Sequence, residues 1–169
     1  MRISPIWAFV ALAASACTMQ GAMAQAPLQV ELITPISEFT DDVAIQVRNK
    51  FYDRGTDVMN LSDASNIVVA KVTIQPKAVF PWHTHPGPVL VTVVEGDFVY
   101  VLAEDCLDRW YPAGTAVVDA GFGNVHTAYN PSETEETVVI ATFLGVPVGG
   151  PLTVPVDGPD PGFCPLPTP

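Results

Sequence analysis

Basic side chains are scarce. The 169 residues carry 7 Lys and Arg against 18 Asp and Glu, a formal net charge of −11 with the histidines neutral. That balance repels phosphate backbones and anionic lipid, which excludes nucleic acid as a partner and gives a membrane surface nothing to hold. Charged residues of either sign make up only 15% of the chain, while apolar ones reach 49%. So apolar a chain can offset the entropy of ordering, which excludes intrinsic disorder. Long apolar runs are also missing: beyond the N-terminus no stretch reaches the length of a transmembrane helix. No segment keeps a 3.6-residue apolar period and no internal repeat is present, so neither a helical bundle nor a solenoid is expected. The length suits a single domain.

The N-terminus is the one continuous apolar stretch. Arg2 precedes Ile6-Trp7-Ala8-Phe9-Val10-Ala11-Leu12-Ala13-Ala14, and small residues then lead to Ala22-Met23-Ala24, an A-x-A cleavage site before Gln25. Residues 1–24 therefore read as an export signal, and the protein is expected in the periplasm or outside the cell. Cys17 after Ala14-Ser15-Ala16 opens a lipoprotein reading, against which stands the lack of a larger aliphatic residue at position 14. Cleavage removes Arg2 and Cys17, leaving 6 basic residues, 18 acidic ones and two cysteines, Cys106 and Cys164. In an oxidising compartment two cysteines pair, so a Cys106–Cys164 disulfide is expected, tethering the C-terminal tail.

Between Asp41 and Leu144 the pattern is that of strands. Val43, Ile45 and Val47 alternate with polar neighbours, and Asp53-Arg54-Gly55-Thr56 supplies a turn. Further short runs follow at Ile67–Ile74, Val89–Val94, Phe98–Leu102, Ala116–Val118, Val125–Tyr129 and Thr137–Leu144, each set off by Pro, Gly, Asp or Asn. Seven or eight such strands predict an antiparallel sandwich or barrel. From Gly145 to Pro169 the last 25 residues hold 8 prolines and 5 glycines, which forbids a helix or a central strand. That tail is expected to wrap the barrel. The resulting division is 1–24 signal, 25–65 N-terminal strands and hairpin, 66–145 barrel and 146–169 Pro-rich tail.

Only three histidines are present, and their placement carries the most information. His83 and His85 flank Thr84 within Pro81-Trp82-His83-Thr84-His85-Pro86-Gly87, and strand alternation puts both imidazoles on one face. His126 begins a later strand in Gly123-Asn124-Val125-His126-Thr127-Ala128-Tyr129-Asn130. A neighbouring wall of the barrel can there present a third nitrogen. Imidazole is the commonest ligand of Zn, Cu, Fe and Ni, and three of them leave positions open for water, substrate or dioxygen.

The segment His83-x-His85 followed by Gly96, with Gly123-x-x-His126-x-x-x-Asn130 after it, resembles the two motifs of the cupins. The resemblance covers roughly residues 66 to 145. It implies an all-β antiparallel double-stranded β-helix, a jelly-roll barrel, that usually holds a metal. The glycine usual six residues before the first histidine is Lys77 here, and the proline usual two places before Gly123 is Gly121. A glutamate ligand usually stands four or five residues after the second histidine, where this chain has Val89 and Leu90. Glu95 shares the parity of the histidines but precedes the Gly96-Asp97 turn, and is read as a turn residue.

The resemblance thus implies a three-histidine centre lacking that glutamate, with a divalent transition metal at His83, His85 and His126. Iron is expected first, with copper, manganese, nickel or zinc also open. Thiol and β-diketone dioxygenases among the cupins are similar in using three histidines on iron, which implies an oxidoreductase of dioxygenase type acting on a small chelating substrate. A non-catalytic module that binds metal or a small molecule is the competing reading. No catalytic residue is named, since the interior around Val89, Val91 and Val93 offers no evident general acid or base. Trp82, Tyr100, Tyr129 and Phe143 are candidates for core or pocket mouth, Arg109 for a surface ion pair with Asp105 or Asp108, and Asn130 for a structural hydrogen bond. Glu133-Thr134-Glu135-Glu136 reads as a solvated hairpin loop, and a homodimer through outer strands is compatible with all of this.

Overall fold

The structure is a computed structural model that describes residues 26–52, 55–159 and 163–168. The signal at 1–24 with its Cys17, and Asp53-Arg54 of the expected turn, lie outside the described residues. Among those residues there are thirteen strands and no helix. One sheet has the order β1 (Leu28–Leu32), β5 (Asn66–Ile74), β12 (Thr137–Leu144), β7 (Val89–Glu95), β10 (Ala116–Asp119), with β2 (Ser37–Glu38) also pairing on β5. The second sheet has the order β13 (Val154–Pro155), β6 (His83–Thr84), β11 (His126–Tyr129), β8 (Asp97–Leu102), β9 (Asp108–Pro112). A hairpin of β3 (Ile45–Lys50) and β4 (Thr56–Leu61) stands apart from both sheets. Every pairing is antiparallel, and the two sheets face each other as the walls of a jelly-roll barrel.

Period-two alternation decides which side chains enter the barrel. Along β5 Val68, Ala70, Val72 and Ile74 are buried, while the residues between them are half-buried. Along β7 Val89 and Val93 are buried and Leu90, Thr92 and Val94 exposed. β8 breaks this rule, because all of Phe98–Leu102 is buried. Phe98, Tyr100 and Leu102 pack inward with Ile74, Val93 and Val139, whereas Val99 and Val101 pack on the other face against Tyr129, Cys164, Trp82 and Leu166. The Pro-rich tail thus covers the outer face of the second sheet. Enclosing a valine in this way is worth about 2 kcal/mol relative to exposure.

Several contacts hold the tail. Val154 and Pro155 form β13 at the sheet edge, where a proline is tolerated. Leu152 packs beside Val89 and Phe143 in the barrel, and the Cys106–Cys164 disulfide closes 58 residues of chain. Arg109 departs from the expected surface pair: it is 2% exposed, donates to both carboxylate oxygens of Asp105 at 3.1 and 2.7 Å, and lies over the Phe51 ring. The guanidinium is buried while the Asp105 side chain stays 23% exposed, so the pair is half-buried and only partly screened by water. Asn130 does have a structural role, its amide donating to the carbonyls of Ile74 and Glu135 while its oxygen accepts from the Ser132 N–H. Glu133 to Glu136 are exposed, with Glu133 paired to Lys77 at 2.6 Å. Lys77 has φ +63°, which explains why a glycine suits that position in the resembling motif.

Candidate metal centre

His83 opens β6 and His126 opens β11, and the two are direct partners across that strand pair. His85 follows just beyond β6, and the spacing of two returns its ring to the same side. Ring centroids lie 4.2 Å apart for His83 and His126, 4.9 Å for His83 and His85, and 5.1 Å for His85 and His126. All three rings are buried, and one ring nitrogen from each lies within 4.8 Å of the others. Three histidines so placed can bind a metal ion.

The opposite ring nitrogens show how these rings are held. Nδ1 of His83 lies 2.7 Å from the Pro81 carbonyl, Nδ1 of His85 lies 2.8 Å from that of Leu152, and Nδ1 of His126 lies 3.0 Å from that of Asn124. A carbonyl only accepts, so each Nδ1 carries a proton and Nε2 is the nitrogen left for a ligand. That arrangement, with the second nitrogen tied to a carbonyl, is the one that suits metal ligation.

The sequence reading missed a fourth polar group. Asp119, 2% exposed, ends β10 on the opposite sheet. Its Oδ1 accepts the Gly121 N–H at 2.6 Å. Its Oδ2 lies 2.8 Å from Nε2 of His126 and 3.7 Å from Nε2 of His85, yet accepts no hydrogen bond of good geometry. The expected strand stopped at Val118, one residue short, and so left Asp119 in a turn. Buried Val117 was the available signal, since alternation carries its inward face on to Asp119.

Electrostatics follow from burial. Desolvation lowers the His83 pKa to about 4, with the neighbouring His126 adding to it, and desolvation lowers that of His85 as well. Burial pushes the Asp119 carboxyl up, but the contact with His126, the charges of His126 and His85 and the Gly121 N–H together hold it below the ordinary value. Burial first, and the charge of Asp119 next, raise the Tyr100 hydroxyl well above its usual value.

The metal-free protein should therefore weaken in acid. Between pH 6.5 and about 4 the unfolded chain takes up a proton at His83 that the folded chain refuses, so stability falls as pH drops through that window. The expected loss is about 3 kcal/mol, read from urea midpoints with chelator present, and His83→Gln should flatten the dependence.

A cavity of about 290 Å³ opens on the histidines. Its walls are apolar, with Val72, Val89, Val91, Phe98, Val139 and Phe143 among them, and the polar groups His83, His85, His126, Asp119, Tyr100 and Thr153 also line it. Of the four candidate aromatics Tyr100 and Phe143 line this cavity, while Trp82 and Tyr129 pack under the tail. The expectation of an interior without acid or base is corrected here: Asp119 and Tyr100 both reach it, Asp119 from β10 beside the valines and Tyr100 from β8 in the facing sheet. Tyr100 accepts a hydrogen bond from Asn124 at 3.3 Å, leaving its own proton to be donated.

Leu152, whose carbonyl holds His85, belongs to the tail that the disulfide tethers. Cys164→Ala should consequently lower metal affinity roughly tenfold, the size expected when the outer partner of a ligand is loosened. Equilibrium dialysis with Zn(II) checks this, and an unchanged affinity would show that the tail holds His85 without its covalent tether.

No family model matches this chain and no curated protein does. Solved structures do. It is 15% identical to the Cupin_2 domain of an XRE family transcriptional regulator from Enterobacter cloacae, covering 69% of this chain and 95% of that one with a TM-score of 0.46. It is 26% identical to a cupin-like protein from Thermotoga maritima, covering 54% and 65%, TM-score 0.46. It is 18% identical to the polyketide cyclase RemF from Streptomyces resistomycificus, covering 54% and 61%, TM-score 0.46. The match thus spans less than two thirds of the latter two proteins. Two of these structural neighbours are described as cupins, and the all-β antiparallel barrel of this chain brings together three histidines that could hold a metal ion.

Proposed function

We propose that the protein is an exported metal-dependent oxidoreductase, a dioxygenase acting on a small chelating substrate, with a divalent metal at His83, His85 and His126. The observation that carries this reading is the set of three Nδ1 to carbonyl hydrogen bonds, which leaves three Nε2 atoms converging in a buried cavity. The orphaned Oδ2 of Asp119 beside them fits a cation as well. When bound, iron there supplies a Lewis acid and one-electron chemistry toward dioxygen.

The residues of the chain do the remainder. Val89, Val91, Val139 and Phe143 exclude water and take up an apolar body, and a volume of about 290 Å³ limits it to a small molecule. A polar end of that molecule faces the histidines. Tyr100, kept protonated by burial, is placed to donate a hydrogen bond to a substrate oxygen. The paired Cys106 and Cys164 suit an oxidising compartment and support export.

Oxygen uptake by the Fe(II)-loaded protein over a panel of thiols, β-diketones and phenolics is the test, with His83→Ala as control. Consumption that needs both one class of compound and His83 is the expected result. Compounds that perturb the metal spectrum without any turnover would replace this reading by the non-catalytic binding module.

A further inference from the structure

The residue opposite Asp119 across the β7/β10 pair is Val89. Directly opposed residues of an antiparallel pair share a face, with Cβ atoms about 5 Å apart. Position 89 is where the resembling motif carries its glutamate, so the chain has a carboxylate beside that position, on the neighbouring strand, aimed into the same cavity. Oδ1 is fixed by the Gly121 N–H, which turns Oδ2 toward the histidines.

There Oδ2 meets the imidazoles. The Nδ1 of His126 is taken up by the Asn124 carbonyl, so Nε2 is the nitrogen this ring turns toward Oδ2, 2.8 Å away. Two buried electron-rich atoms at that separation call for a cation, a proton on the line between them or a metal ion beside it. Ligand atoms about 2.1 Å from one ion and at right angles stand about 3 Å apart, which the 2.8 Å contact approaches and the 3.7 Å contact to His85 brackets at a wider angle.

We propose that Asp119 is a direct metal ligand, making the centre three imidazoles and one carboxylate, with the carboxylate supplied by β10 in place of residue 89. This rests on the metal centre proposed above and extends it. The added oxygen lowers the charge of the centre and shifts its preference toward harder ions such as Mn(II) and Fe(II).

The test is binding of Mn(II), Co(II) and Zn(II), each alone, to the full mature chain and to Asp119→Asn, Asp119→Ala, His126→Ala and the double variant Val89→Glu/Asp119→Ala. Asp119→Asn keeps the acceptor for Gly121 and so guards against a fold effect. Both single Asp119 variants are expected to lose Mn(II) affinity about 100-fold, more than they lose Zn(II) affinity, and to change the visible spectrum of bound Co(II). The double variant is expected to recover Mn(II) to within about tenfold, since a glutamate at 89 restores a carboxylate without restoring the Gly121 hydrogen bond. Asp119→Ala binding all three ions as the parent does, or a double variant that recovers nothing, would overturn the assignment while His126→Ala still loses metal. Metal uptake that His126→Ala leaves unchanged would overturn the underlying centre, and this ligand with it.

Discussion

His126→Ala is expected to lower metal affinity by about 100-fold or more while leaving the fold intact. His126 sits at the middle of the cluster: it pairs with His83 across the strands, lies 5.1 Å centroid to centroid from His85, and contacts Asp119. Its removal takes away the ring that touches both His83 and Asp119 and leaves a smaller, weaker ligand set. His83→Ala and His85→Ala should behave alike, although His85→Ala also frees the Leu152 carbonyl and with it one hold on the tail. Elemental analysis after dialysis, with far-UV circular dichroism beside it, reads both metal and fold. Metal retained in all three variants would place it somewhere other than the barrel.

The second large effect is expected at Gly121. Its φ is +65°, and a Cβ there would lie 2.1 Å from the carbonyl oxygen of Gly87, which is backbone and has no rotamer to yield. Gly121→Ala thus adds left-handed strain to a forced separation of two loops, a cost of about 3 kcal/mol or more and a fall in Tm of about 10 °C. Gly149→Ala is the control, since φ is +71° there but nothing lies within 4 Å. The damage at Gly121 should reach the metal as well. Its N–H fixes Asp119, and the next N–H, that of Phe122, donates to the His85 carbonyl at 2.9 Å. Equal melting of the two variants would mean that the Gly87 contact is easily relieved.

The same glycine shows why the sequence was legible only in part. A proline stands at this position in the resembling motif, and proline cannot adopt φ +65°. The departure marks a tighter turn, visible only once Gly87 is known to press on it. The barrel itself was legible because period-two alternation at β5 and β7 is a local property, as was the His-x-His pair. Strands such as β9, β13 and β6 were not, since two are only two residues long and β9 carries Asp108 and Pro112 at its ends. Their pairing comes from partners distant in the chain. The buried state of Arg109 was hidden for the same reason, because the Phe51 ring it lies over is far back in sequence. Asp119 was hidden by one residue of strand length: an acid before Ala-Gly reads as a turn until register places it opposite Val89.

Metal content of the mature protein, purified without chelator or histidine tag and compared with His83→Ala prepared alongside, bears most directly on the centre described here. Close to one equivalent of a transition metal, iron first, is expected in the parent and none in the variant. No metal in either protein, even after reconstitution with Fe(II), Mn(II), Cu(II), Ni(II) and Zn(II), would contradict a metal centre at His83, His85 and His126.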